Sequence, residues 1–231
     1  MIFIAGTLFT RKVCVTLSKP KHTSDLFLSA TIRSTVRMDG TSNPRFVKEE
    51  EVARCKWMAL NKITYVDARG RERLWEAAKR TTTTDAGCDA VCVIAVLKRL
   101  LKFDSLVLVK QYRPPMRGYT LEMPAGLMDK NETPEQTAVR ELKEETGYTA
   151  TVKHTSPITC MDAGTESATL QIVTAEIDGD TEDNKNPKPT PEFIEVVHVP
   201  MNDLIGKLNG YNFETIPLSS TELSVYIGLV P

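Results

Sequence analysis

Two apolar runs, AVCVIAVL at 90–97 and SLVLVKQYR at 105–113, are rich in β-branched residues and predict buried strands. Shorter runs predict further strands at 118–123, 151–155, 168–177 and 193–199. Upstream, KWMALNKITYVD (56–67) and RERLWEAAKR (71–80) flank Ala68-Arg69-Gly70 and predict a β-hairpin. Residues 178–191, DGDTEDNKNPKPTP, are polar, with Pro187, Pro189 and Pro191 alternating; the expectation is a stiffened surface loop rather than a core element. Asn202 is the expected cap of a short helix over 203–208 that ends near Gly210. No internal repeat is present.

The most informative segment starts at Thr133. Thr133 and Gln136 form a capping-box pair, Pro134 occupies the favoured first helical position, and Gly147 supplies a left-handed stop. A helix over about 134–145 follows. At ~100° per residue, Glu141, Glu144 and Glu145 fall within one arc, and Ala138, Val139 and Leu142 occupy the adjacent arc. The carboxylates therefore border the apolar stripe and point into a cleft beside the core. Three like charges on one face repel, and a divalent cation removes that cost. Hard carboxylate oxygens suit Mg²⁺ or Mn²⁺ rather than zinc. A solvated acidic face is the competing reading of the helix taken alone.

Composition adds a division of the chain. Its 231 residues carry 29 basic and 30 acidic side chains, a net charge of −1. Residues 1–38 hold six of the basic ones (Arg11, Lys12, Lys19, Lys21, Arg33, Arg37) and one acid, Asp25; that segment is +5 and the remainder −6. Near-neutrality argues against a dedicated partner of nucleic-acid polymers. The leader is basic, rich in Ser and Thr, and opens with MIFIAGTLF. A mitochondrial transit peptide, an untargeted disordered leader and translation starting at Met38 all fit it. Five widely spaced cysteines without a CxxC argue against a disulfide framework or zinc ribbon and point to a reducing compartment. No run reaches the ~18–20 apolar residues that span a bilayer, so no membrane partner is expected.

From Gly126 the sequence reads GLMDKNETPEQTAVRELKEETGY. This resembles the Nudix box, Gly-x5-Glu-x7-Arg-Glu-U-x-Glu-Glu-x-Gly-U with U aliphatic. Gly126, Glu132, Arg140, Glu141, Leu142, Glu144, Glu145 and Gly147 fall in register, and Tyr148 at the last aliphatic position is a packing substitution. WEAAKRTT (75–82), VKQYRPPMRGYTLEMPAGL (109–127), CMDAG (160–164) and PKPTPEFIEV (187–196) are similar to the ADP-sugar pyrophosphatase branch of that family. The similarity runs from about Lys56 to about Leu208.

The resemblance implies an α/β (α+β) fold: a Nudix α/β/α sandwich with a mixed sheet, preceded by an antiparallel sheet used in dimerisation. The implied division is a leader over 1–45, an N-terminal β-sheet region over 46–85 and a Nudix domain over 86–231. It further implies hydrolysis of ADP-ribose and related ADP-sugars with Mg²⁺ (or Mn²⁺), by a homodimer with shared sites. Glu141, Glu145, Glu192 and the main-chain carbonyl of Ala125 would hold the metal. Glu144 would be a further ligand or support, and Glu192 also a candidate base. Arg80 and Arg113 would meet the phosphates, and Trp57 and Trp75, one from each subunit, would sandwich adenine. Glu76 and the backbone at Leu127 would position substrate, and Asp162 of the partner chain would meet the terminal ribose.

The residues also carry plainer readings. Arg113 could instead pair with Glu122, although Arg-Pro-Pro at a strand end favours phosphate. Arg140, four residues before Glu144, is expected to orient that carboxylate. Trp57 and Trp75 could be buried aromatics, and Glu192 ordinary loop charge. His22, His154 and His198 have no metal spacing. Two other functions stay open, a hydrolase of oxidised nucleoside diphosphates such as 8-oxo-dGDP and a non-catalytic ADP-ribose sensor. Retention of three mutually repelling glutamates weighs against the sensor. The expected location is cytoplasmic, with the nucleus added, or mitochondrial if residues 1–38 are a transit peptide.

Overall fold

The computed structural model describes residues 42–82, 87–190 and 193–210. Residues 1–41 of the leader, the 85/86 domain boundary, Glu192 and the last 21 residues lie outside the described residues. Eleven strands are described: β1 Arg45–Arg54, β2 Met58–Val66, β3 Glu72–Arg80, β4 Ala90–Arg99, β5 Lys102–Arg113, β6 Gly118–Glu122, β7 Ala125–Leu127, β8 Thr151–Thr155, β9 Thr159–Cys160, β10 Thr169–Asp178 and β11 Glu195–Pro200. The helices are α1 Pro134–Thr146, α2 Glu182–Lys185 and α3 Leu204–Asn209. Among these residues no helix is long and apolar enough to cross a membrane.

β1, β2 and β3 form an antiparallel sheet, and the expected hairpin is its β2–β3 pair. The remaining strands form a mixed sheet of order β11-β5-β4-β10-β8, in which β4 and β10 run parallel. Period-two alternation sorts β4 between two cores. Val91, Val93, Ala95 and Leu97 join Ala138 and Leu142 of α1 on one face. Ala90 and Cys92 join Leu106, Leu108, Leu204 and Leu208 on the other. Helices thus cover both faces of a mixed sheet, as expected.

β5 pairs with the second half of β4, and β7 pairs with its first three residues, Ala90–Cys92. The candidate site lies where β5 and β7 part. The two sheets meet through the 162–166 turn: the Ala78 amide donates to the Thr165 carbonyl at 2.8 Å and the Trp75 indole N–H to the Gly164 carbonyl at 2.9 Å.

Three sequence expectations need correction. Residues 178–191 are not wholly peripheral: they contain α2, whose Asn184 is buried. Its side chain bonds the Thr149 N–H and carbonyl and the Asp178 carbonyl, satisfying backbone that strand ends leave open. Asn202 does not cap a helix; it lies inside a 3₁₀ turn, Met201–Asp203, and Asp203 occupies the cap position of α3 without a side-chain bond. Strands β1, β7 and β9 were not expected from the pattern.

Candidate active site

α1 is built as its sequence predicts. The Thr133 hydroxyl accepts from the Gln136 amide at 3.3 Å, and the Gln136 side chain accepts from the Thr133 amide at 2.9 Å. Gly147 ends the helix at φ 76°, and a Cβ there would stand 2.3 Å from the Lys188 nitrogen. With both ends fixed, the buried face of α1 carries Ala138, Leu142 and Glu145 together.

Glu145 is only 9% exposed, and its carboxylate accepts the Ala125 N–H at 3.1 Å. Burial is the main cause that pushes its pKa from 4.5 up to about 7, and the nearby Glu141 adds to the rise. Glu141 is raised in the same direction, again chiefly by burial. Gly126 is required beside it: a Cβ at 126 would overlap the Glu141 carboxyl at 1.9–2.4 Å. The chain thus makes room for a carboxylate against bare backbone.

Arg140 does not chiefly orient Glu144, which it reaches only at 3.6 Å. Its Nε and Nη2 fork onto Glu132 at 2.8 Å each, its Nη1 donates to Glu141 at 2.7 Å, and its Nη2 also meets the Leu127 carbonyl at 3.1 Å. Glu132 is the better partner because its loop turns back on α1, with the Asp129 amide and the Thr137 hydroxyl donating to the same carboxylate. With Arg140 contributing most, these donors together pull the Glu132 pKa down to about 2. Glu144 is half exposed.

A cavity of about 380 Å³ opens beside these groups. Arg80, Arg113 and Glu122 line it with the backbone of Ala125–Leu127, and Cys92, Met123, Met161 and Leu170 supply apolar wall. Arg80 Nε is buried and has no hydrogen-bond partner among the described residues. Leaving such a donor unpaired costs about 1–3 kcal/mol, more for a charged group, so an anionic ligand would find it ready. Arg113 pairs with Glu122, as the plainer reading had it, and also lines the cavity.

Trp57 and Trp75 are 59% and 48% exposed, which removes the buried-aromatic reading in this chain. Lys56 Nζ lies 4.4 Å from the Trp57 ring centroid. Glu76 is exposed on β3. Asp162 is exposed, and its carboxylate accepts the Gly164 N–H at 3.1 Å within its own turn. Tyr148 packs in the α1-side core and its hydroxyl meets His198 Nε2 at 2.9 Å, so it is a packing substitution.

Arg80, Arg113, Glu122, Ala125 and Leu127 thus line one cavity, and Glu145 and Glu141 stand against its Ala125–Gly126 backbone, Glu145 bonded to the Ala125 N–H and Glu141 packed on Gly126. Among the described residues no three His, Cys, Asp or Glu side chains form a ready-made ligand set. Each buried carboxylate instead leans on an N–H donor. Two buried carboxyls with raised proton affinity, beside a backbone carbonyl and a glycine cradle, fit a hard divalent cation. Sequence reasoning left Glu132 unassigned and saw Glu122 only as a partner for Arg113.

A sequence model of the NUDIX domain matches residues 87–218. The chain belongs to the Nudix family. This Nudix chain is 46% identical over 169 residues to the ADP-sugar pyrophosphatase of Mus musculus, covering 72% of this chain and 78% of that one. It is 41% identical over 157 residues to the ADP-ribose pyrophosphatase of Saccharomyces cerevisiae, covering 66% of this chain and 68% of that one. A crystal structure of an ADP compounds hydrolase superposes with a TM-score of 0.55 at 22% identity, covering 76% of this chain and 88% of that one; it bears on the fold alone.

Proposed function

We propose that this Nudix protein hydrolyses the pyrophosphate bond of ADP-ribose and related ADP-sugars, giving AMP and a sugar phosphate. The observation that carries the reading is a cavity lined by Arg80, whose Nε has no hydrogen-bond partner among the described residues, and by the Ala125–Gly126 backbone, against which the buried Glu145 and the largely buried Glu141 stand. The names of the mouse and yeast relatives supply the substrate class.

Glu141, Glu145 and the Ala125 carbonyl would hold a divalent cation, Mg²⁺ in this reading, with Mn²⁺ as its substitute. Glu144 and Glu192 would complete the acidic set. When bound, such an ion neutralises phosphate charge and lowers the pKa of a water. The rest falls to the chain's own side chains. Arg80 and Arg113 would donate charge-assisted hydrogen bonds to phosphate oxygens. A glutamate within one hydrogen bond of the attacking water, Glu192 by the family resemblance, would take its proton. Glu76 and the Leu127 backbone would position the nucleotide.

The proposal includes a homodimer. Every residue of β1 is exposed, and Phe46, Val52, Trp57, Leu60, Leu74 and Trp75 put large apolar side chains on the surface of the three-stranded sheet or beside it. A second copy covering that sheet would bring Trp57 of one chain toward Trp75 of the other around adenine, and Asp162 toward the partner's ribose. The proposed division is a leader over 1–45, a dimerisation sheet over 46–85 and the Nudix domain beyond. The proposed location is cytoplasmic and nuclear, or mitochondrial if the leader is cleaved on import.

The test is a panel of ADP-ribose, other ADP-sugars, diadenosine polyphosphates and 8-oxo-dGDP, each with Mg²⁺ and with chelator. Metal-dependent release of AMP from ADP-ribose supports the proposal. Activity confined to oxidised nucleotides overturns it in favour of a sanitising enzyme. Quenching of tryptophan fluorescence by ADP-ribose without turnover overturns it in favour of a sensor.

A further inference from the structure

Arg113 ends β5 and Glu122 ends β6, and the two strands pair with Val109 opposite Glu122 and Gln111 opposite Thr120. Side chains two residues apart share a face of a strand. Gln111 and Arg113 of β5 therefore lie on one face with Thr120 and Glu122 of β6. That register delivers three donors to one carboxylate. Arg113 donates through Nε at 2.8 Å and Nη2 at 2.6 Å, Gln111 Nε2 donates at 3.3 Å, and the Thr120 hydroxyl donates to Oε1.

The Glu122 side chain is 13% exposed, and its pKa is held down despite its burial, by Arg113 foremost and then by Thr120. It is an anchored anion. Arg113, by contrast, is 47% exposed and has four freely rotating side-chain torsions. The bidentate bond occupies one edge of the guanidinium and leaves Nη1 outside the Glu122 clasp. Both residues line the cavity that also holds Arg80 and the Ala125–Leu127 backbone.

We infer that Glu122 is a positioning residue, which fixes the guanidinium of Arg113 so that its remaining edge faces the substrate phosphates. This inference rests on the reading of the cavity as an ADP-sugar pyrophosphatase site. Glu122 acts through Arg113, with Gln111 and Thr120 holding its carboxylate in turn. Without the clasp, Arg113 samples many rotamers, and a misplacement of about 1 Å at a catalytic group can cost about a hundredfold in rate.

The test is a double-mutant cycle in the full-length enzyme with ADP-ribose and Mg²⁺, combining Glu122→Gln and Arg113→Ala, with circular dichroism and melting to verify each fold. Glu122→Gln alone is expected to lower kcat about ten- to hundredfold. In the Arg113→Ala background the same substitution is expected to change kcat by less than about twofold. A carboxylate with a merely structural role would impose its cost equally in both backgrounds, and that result overturns the inference. A normal rate for Glu122→Gln beside a large loss for Arg113→Ala overturns the positioning role and leaves the phosphate contact intact. A normal rate for Arg113→Ala overturns the phosphate contact itself, and with it the inference. Wild-type enzyme that leaves ADP-ribose intact overturns the underlying reading of the site.

Discussion

Glu145→Gln should stabilise the metal-free protein above neutral pH while destroying its activity. In the unfolded chain this carboxyl ionises near 4.5; in the fold, burial raises its pKa to about 7. For an acid with a raised folded pKa, the folded state holds the extra proton between those values. The group costs nothing below about pH 4.5, becomes progressively destabilising as pH rises to about 7, and is constant above. At about 1.4 kcal/mol for each tenfold difference in proton affinity, the cost reaches about 3 kcal/mol. Glutamine keeps the shape and keeps an oxygen for the Ala125 N–H. Its amide nitrogen carries a burial cost of about 1–3 kcal/mol, but that cost does not vary with pH. The slope is therefore the clean observable. Urea denaturation of wild type and variant in EDTA, at pH 5 and pH 8, should show the difference in unfolding free energy shift toward the variant by about 2.5 kcal/mol, since part of the cost is already present at pH 5. A divalent cation at pH 8 should raise the midpoint of the wild type and leave the variant nearly unmoved. A difference that does not change between pH 5 and pH 8 would refute the claim that Glu145 is a desolvated, unpaid charge in the metal-free fold.

Arg140→Ala should lower stability by about 2 kcal/mol and depress turnover, because it releases both Glu132 and Glu141; thermal melting and steady-state kinetics together check this, and an unchanged melting point would contradict the clasp. Gly126→Ala should cut turnover at least tenfold, since its Cβ would displace the Glu141 carboxyl. A fully active alanine variant would show that this carboxyl is not held where the geometry puts it. Trp57→Ala should raise KM for ADP-ribose about tenfold or more with little change in melting, because base–aromatic stacking is worth about 1–3 kcal/mol and the ring is exposed; an unchanged KM would remove Trp57 from the adenine site.

The carboxylate helix was legible because every signal for it is local. The Thr133–Gln136 box, Pro134 and Gly147 each act within a few residues, and they fix the helical phase that puts Glu145 with Leu142 on the buried face. The long strands were legible from period two and β-branching. β1 was not, because the charged run Lys48–Glu51 breaks any apolar alternation in RFVKEEEVAR and every residue is exposed; its strand character comes from pairing with β2. β7 is three residues containing Gly126, and only its partners Ala90–Cys92 make it a strand. Arg140 misled for a related reason. Helical spacing points to Glu144, while the nearer carboxylate, Glu132, is brought in by a loop that folds back through Asn131 at φ 71°. Spacing reports neighbours on one element, and contacts made by a returning loop leave no periodic trace. Asn184 escaped likewise: its polar surroundings mark a loop, but its burial depends on three backbone groups that Thr149 and Asp178 supply.

The central claim is metal-assisted cleavage of ADP-ribose at the Glu141–Glu145 pair. Its most direct test is turnover of ADP-ribose by Glu141→Gln against wild type in saturating Mg²⁺, with AMP and ribose 5-phosphate quantified and both proteins shown to melt alike. A loss of at least about a hundredfold, in a folded protein, is the expected result, in line with removal of a metal-holding carboxylate. Near-wild-type release of AMP by the folded variant would contradict the assignment of this pair as the reactive centre.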